Sequence, residues 1–260
     1  MSKIAAAFKK HNKCFIPFVT AGDPNLDVTA ELILAMANAG ADIVELGIPF
    51  SDPVAEGEVI QQANIRALSA GTTTDKIFAM LKEVRQKMDV PLVFLTYINP
   101  IFIYGTEKFL AACQSVGLDG IIVPDVPYEE KAPLAELCHK YGVDLIPLIA
   151  PTSDERIKMI AREAEGYVYI VSSLGVTGVR QNITTNIAAI VQKVREATKV
   201  PAAVGFGIAT PQQAEDMAKV SDGAIVGSAV VKIVGKYGID CVQPVTDYVK
   251  EMAAAVHGLE

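Results

Sequence analysis

Val44-Glu45-Leu46-Gly47-Ile48-Pro49-Phe50-Ser51-Asp52-Pro53 decides how the rest of this chain is read. The apolar run Ala41 to Leu46 holds one carboxylate, Glu45, and then breaks on Gly47 and Pro49. Apolar runs of this length bounded by Gly and Pro read as strands of a parallel sheet buried on both faces. A Glu inside such a strand is costly unless it is paired or used, because burial disfavours its charged form. Glu45 is therefore the first catalytic candidate. Glu56 follows on the loop after the strand, within Ala55-Glu56-Gly57.

Similar runs recur along the chain: Phe15–Val19, Ile43–Leu46, Leu92–Leu95, Gly120–Val123, Val143–Leu148, Tyr167–Val171, Ala202–Val204 and Gly223–Val226. Between them the apolar residues repeat at helical spacing. Val28, Leu32, Ala35, Met36 and Ala39 share one face, as do Ile77, Met80, Leu81, Val84 and Met88, and then Ile187, Ile190, Val191 and Val194. Asp27, Asp75 and Asp154 stand where N-caps or first-turn acids belong. Eight alternating strand–helix units without a linker predict one α/β domain over residues 1–260, closed as a (β/α)8 TIM barrel rather than opened as a doubly wound sheet. Gly258-Leu259-Glu260 reads as an expression remnant and is set aside.

Composition bounds the function. At 260 residues the length suits one barrel, and half of the residues are apolar, 51%. The net charge of −7 without a basic cluster argues against nucleic acid and anionic membranes. No apolar run reaches the ~18 residues of a membrane span. Residues 1–13 read as an amphipathic first helix, not a signal peptide. Cys14, Cys113, Cys138 and Cys241 are scattered among apolar neighbours, as small buried hydrophobes in a reducing cytoplasm. His11, His139 and His257 fall on helices or the tail, so neither a histidine-based triad nor a metal cluster is expected.

A barrel gathers the residues after its strands on one rim, where active sites of this fold are built. Here they are Thr20, Glu45, Tyr97, Asn99, Asp125, Ser172, Gly207 and Ser228. Glycine-bearing turns follow the last three strands, at Gly175-Val176-Thr177-Gly178, Gly205-Phe206-Gly207 and Gly227-Ser228. Glycines let backbone amides approach an anion, and Ser228 opens a short extra helix, Ala229–Val234, of the kind that holds phosphate. Neither a full dinucleotide fingerprint nor a P-loop is present, so a nucleotide cofactor is not expected. Phe18, Tyr97, Ile122, Tyr169 and Phe206 could line a flat apolar slot, or be plain core. Glu45 has a structural alternative as a buried carboxylate hydrogen-bonded to Tyr97 or Tyr169. Asp52 and Glu58 read as solvated or interface charges, and Asp125 as loop scaffolding or a rim contact.

Phe18-Val19-Thr20-Ala21-Gly22-Asp23-Pro24, the Glu45–Pro53 block, and the three glycine turns occur in the order in which they appear in the tryptophan synthase alpha-subunit family, which the whole chain resembles. The resemblance implies a lyase of tryptophan biosynthesis that cleaves indole-3-glycerol phosphate to indole and glyceraldehyde 3-phosphate. It implies no cofactor in this chain, and a beta-subunit partner that carries pyridoxal phosphate in an alpha2-beta2 heterotetramer. By position, Glu45 matches the acid–base glutamate and Glu56 the carboxylate near the ring N–H. Tyr169 and Phe206 match substrate-packing residues, Thr177 the threonine of the closing loop, and Gly178, Gly207, Gly227 and Ser228 the phosphate cradle. Asp52, Pro53 and Glu58 fall where the resemblance puts the partner. The family's usual Ala-Asp-Gly-Pro reads here Ala55-Glu56-Gly57-Glu58. A phosphosugar isomerase or aldolase on the same fold, and a catalytically weak subunit that mainly activates its partner, are the competing readings.

Overall fold

A computed structural model describes residues 2–171, 183–205 and 207–258, with side chains of the helix Ile183–Ala197 described from Ile187 onward. Among the described residues nine strands form one parallel sheet: β1 Cys14–Thr20, β2 Val44–Gly47, β3 Leu92–Leu95, β4 Gly120–Ile122, β5 Asp144–Leu145, β6 Leu148–Ile149, β7 Val168–Val171, β8 Ala202–Gly205 and β9 Gly223–Val226. Their order is β5-β4-β3-β2-β1-β9-β8-β7-β6. The two ends of that order are consecutive in the chain, so residues Ile146 and Pro147 join them and the sheet closes into a barrel. The Ile146 N–H donates to the Ile121 carbonyl at 2.9 Å and the Tyr169 N–H to the Pro147 carbonyl at 2.9 Å, continuing both ladders across the join.

The single strand expected over Val143–Leu148 is thus two short ones. Pro147 has no N–H to give to a ladder and interrupts regular pairing where the strand passes from one neighbour to the other. The other seven strands lie where the apolar runs put them, within a residue or two at their ends.

Alternation along each strand makes two cores. Cys14, Ile16, Ile43, Val93, Ile122, Ile146, Tyr167, Tyr169, Ala203 and Ile225 fill the barrel. Their neighbours Phe15, Val44, Leu92, Phe94, Ile121, Val168, Val204 and Ala224 face outward under the helices. Those helices bury the stripes read from the sequence: Val28, Leu32 and Met36 on Leu26–Asn38, Ile77, Leu81 and Val84 on Thr74–Val84, and Ile187, Ile190, Val191 and Val194 on Ile183–Ala197. The N-caps are Asn25, Thr73 and Ser153, with Asp27, Asp75 and Asp154 in the first turns, where carboxylates meet the positive end of the helix dipole. Lys3–Lys10 is the expected first helix, and its Ile4, fully buried, plugs the N-terminal end of the barrel. All four cysteines are buried, and burial pushes Cys138 up to about 12 and Cys241 up to about 11. No described helix is long and apolar enough to cross a membrane.

Candidate active site

Glu45 sits in β2 with its side chain inside the barrel, in register with Phe18 of β1 and Val93 of β3, and is 1% exposed. The Tyr167 hydroxyl donates to its Oε1 at 2.5 Å. Burial pushes the carboxyl up to about 8, against the opposing pull of that hydrogen bond. The partner is neither of the tyrosines expected. Tyr169 lies close enough for Glu45 to raise its phenol further above an already desolvated value, while Tyr97 belongs to the next loop. The signal for Tyr167 was in the sequence: two residues before Tyr169 in a strand, it has to face the same way.

Glu56 stands half-buried on the loop between β2 and the helix Glu58–Ser69. The Asn64 side-chain amide donates to its Oε2 at 2.6 Å, and the Gln61 amide to its backbone carbonyl at 2.8 Å. Burial raises its pKa, whereas hydrogen bonds from Asn64 and Tyr97 favour its charged form. The same loop is pinned at Ala55, whose N–H donates to the Tyr97 hydroxyl at 3.1 Å, and the Phe50 and Tyr97 rings meet at 5.5 Å. Tyr97, 1% exposed, is shifted upward by burial first and by Glu56 second. Asn64 was not singled out from the sequence, although a polar residue inside the buried stripe Ile60, Ala63, Asn64, Ala67 is an anomaly that asks for a partner.

Phe18 and Ile122 point into the barrel as a slot requires. Two glycines make that space. A Cβ on Gly47 would come within 2.6 Å of Phe18 Cζ, and one on Gly205 within 2.3 Å of the Tyr169 hydroxyl. At the other side of the rim, Gly227 is the N-cap of the helix Ser228–Tyr237, which is longer than the Ala229–Val234 expected and carries no side-chain cap. Gly207, in the turn after β8, has a φ of +76° that suits glycine, and its Cβ position meets nothing within 4 Å. Thr177, Gly178, Phe206 and Ser172 lie outside the described residues.

Asp52 is exposed and takes a hydrogen bond from its neighbour Ser51 at 2.5 Å; Pro53 is half-buried, and Glu58 is exposed as the first residue of its helix. None of the three turns toward Glu45 in a contact of the described residues. Asp125 is scaffolding: it accepts the Ile98 N–H at 3.0 Å and so holds the start of the helix Ile98–Tyr104. A second loop clamp went unread in the sequence. Arg66 binds the buried Asp23 through two bonds of 2.8 and 2.7 Å, tying the loop after β1 to the helix that carries Asn64. The histidines also depart from expectation. His11 and His257 come together on Asp42 at the opposite end of the barrel, because the first and last helices end side by side there.

The arrangement brings together a carboxyl inside the barrel whose pKa burial raises, a second carboxylate held on the loop after β2, an apolar slot and a helix N-terminus suited to an anion. Comparison with known proteins gives the same picture a family. Residues 4–257 match the family model described as tryptophan synthase alpha chain. The tryptophan synthase alpha chain of Lactiplantibacillus plantarum is 48% identical over 263 residues, covering 99% of this chain and 97% of that one. The crystal structure of tryptophan synthase subunit alpha from Legionella pneumophila superposes with a TM-score of 0.90 at 35% identity, covering 99% of both chains. An alpha subunit in a study of mutual activation of the a2b2 tryptophan synthase complex of Pyrococcus furiosus superposes with a TM-score of 0.84 at 34% identity, covering 93% of this chain and 98% of that one. With the match running through the barrel from first helix to last, the chain belongs to the tryptophan synthase alpha chain family.

Proposed function

We propose that this chain catalyses the alpha reaction of tryptophan biosynthesis, the retro-aldol cleavage of indole-3-glycerol phosphate to indole and glyceraldehyde 3-phosphate. The observation that carries the reading is Glu45: a carboxyl pushed up to about 8 holds its proton at neutral pH and can give it to carbon. In the first step the Glu45 proton adds to C3 of the indole ring, leaving the ring cationic at nitrogen. Glu56, held by Asn64, stabilises that ring N–H as charge develops. The bond from C3 to the hydroxyl-bearing glycerol carbon then breaks. Its electron pair returns to the ring, and the hydroxyl loses its proton to the Glu45 carboxylate as the aldehyde forms. Glu45 thereby ends protonated, as it began.

Phe18, Ile122 and Tyr169, with Tyr97 at the rim and Phe206 and Thr177 completing the site, pack the indole and close over it. The phosphate sits on the amides of Gly178, Gly207, Gly227 and Ser228, where the uncapped helix Ser228–Tyr237 presents its positive end. The chain works without a cofactor of its own, in the cytoplasm, beside a beta subunit that holds pyridoxal phosphate. The partner docks on the loop of Asp52, Pro53 and Glu58. That loop carries the exposed Val54, at 78%, and the helix Ile98–Tyr104 carries the exposed Phe102, at 74%, and Ile103, at 76%; Tyr97, just before that helix, links the two segments through its bond to Ala55. The decisive experiment is steady-state indole release from indole-3-glycerol phosphate, by the isolated chain and after addition of a beta subunit. Turnover that rises with the partner supports the reading, and no indole under either condition overturns it.

A further inference from the structure

At the closed end of the barrel, far along the strands from the rim, three ligand-type side chains from distant parts of the sequence converge. His11 is the C-cap of the first helix, Asp42 precedes β2, and His257 is the last residue of the helix Val242–His257. One ligand atom from each lies within 4.8 Å of the other two. His257 Nε2 is 2.8 Å from Asp42 Oδ2, and His11 Nε2 is 3.9 Å from Asp42 Oδ1. The two imidazoles stack with centroids 4.4 Å apart and planes 12° from parallel, so both edges serve one carboxylate. We propose that His11, Asp42 and His257 form a binding site for a divalent transition-metal ion of the zinc type, which clasps the two ends of the chain to the base of β2.

Two imidazole nitrogens and one carboxylate oxygen are a donor set that suits zinc, with a fourth position for water. Tetrahedral bonds of about 2.0–2.2 Å place ligand atoms roughly 3.3 Å apart. The His257–Asp42 pair is already that close. His11 has to turn out of the stack with His257 and approach by up to about 1.5 Å, and its position beyond the last helical turn, with extended backbone at φ −120° and ψ 127°, leaves its side chain to do so. The carboxylate is oriented before any ion arrives, since the Phe15 N–H donates to Asp42 Oδ2 at 2.7 Å. Gly40, at φ +108°, leaves room for the end of the last helix: a Cβ there would meet the Ala253 Cβ at 3.0 Å and the His257 ring at 3.9 Å.

The test uses the full chain without an added histidine tag, stripped with a chelator and titrated with Zn²⁺ by calorimetry, with Co²⁺ absorption as a second probe. One Zn²⁺ per chain is expected, together with a rise of several degrees in the thermal midpoint at saturation. His11→Gln and His257→Gln should each weaken binding about tenfold or more and remove the thermal shift. His139→Gln, at the pair with Glu165 (3.0 Å), should change neither. Affinities are read at a temperature where circular dichroism shows every variant folded, so loss of binding is not loss of structure. Co²⁺ should give the spectrum of nitrogen and oxygen ligands without thiolate charge transfer. Indole release should be the same in all three variants. Absence of stoichiometric binding, binding that survives both His11→Gln and His257→Gln, or a thiolate spectrum overturns the proposal.

Discussion

Glu45→Gln should abolish indole formation and at the same time make the protein more stable in alkali. Gln keeps the size of the side chain and can still bond Tyr167, but it carries no proton to give. General acid–base help is worth about 10²–10⁴ in rate, and turnover should fall by at least that much. The stability effect follows from the same burial. Folded Glu45 keeps its proton up to about 8, whereas in the unfolded chain it releases it near the ordinary value of 4.5. Between those values the unfolded state binds fewer protons than the native one, so Glu45 takes stability away as pH rises through the interval, with no further change above it. At about 1.4 kcal/mol per pH unit, the interval amounts to about 5 kcal/mol. For a chain of this length 1 kcal/mol moves the thermal midpoint by about 2 °C. Every other titrating group is common to parent and variant. The gap in midpoint between Glu45→Gln and parent should therefore widen by up to ~10 °C from pH 5 to pH 9. Far-UV circular dichroism and tyrosine fluorescence follow it, the chain having no tryptophan. A gap that stays constant with pH would refute the claim that burial holds Glu45 protonated, and activity within a fewfold of the parent would remove it from the chemistry.

Tyr167→Phe removes the hydrogen bond that favours the charged carboxylate, so the alkaline limit of activity should move to higher pH; a pH–rate profile of kcat reads it. Glu56→Ala should lower kcat and kcat/KM together, because its interaction strengthens as the ring becomes cationic; a rise in KM alone would make Glu56 a ground-state contact. Glu58→Pro should raise the activity of the isolated chain and shrink its activation by a beta subunit. Position 58 opens a helix and Gly57 before it is extended, at φ −77° and ψ 168°, so proline fits both residues and stabilises by about 0.4–1 kcal/mol. Unchanged activation in that variant would separate this loop from the partner's effect. Gly205→Ala forces a Cβ against the Tyr169 hydroxyl at 2.3 Å, and should raise KM for indole-3-glycerol phosphate through displacement of the Tyr169 ring, with circular dichroism still native.

Strand positions were legible because a parallel barrel strand is buried on both faces and leaves a short apolar run between breakers, as at Leu92–Leu95 and Gly223–Val226. The amphipathic helices were legible for the same reason, each burying one stripe. Glu45 stood out by its cost in such a run. The split at Pro147 was less visible, since a change of hydrogen-bonding neighbour leaves hydropathy untouched. Local pattern likewise read Asp125 as scaffolding or a rim contact, but not that its carboxylate takes the Ile98 N–H at the start of a helix.

Pairings across the chain belong to another level. That Tyr167 and not Tyr169 or Tyr97 holds Glu45 depends on how deep in the barrel β7 sits against β2. Asn64 reaches Glu56, and Arg66 reaches Asp23, because one helix packs between two loops. His11 and His257, 246 residues apart in the numbering, share Asp42 only because closing the barrel brings the first and last helices to the same end. The chain's local periodicity and its costly carboxylate determined by themselves the strands, the helices and the first catalytic candidate, since burial of an apolar face is written in neighbouring residues. Closure of the sheet decided the rest, because proton affinity and hydrogen bonding are set by whichever groups the fold brings within a few ångströms, however far apart they stand along the sequence.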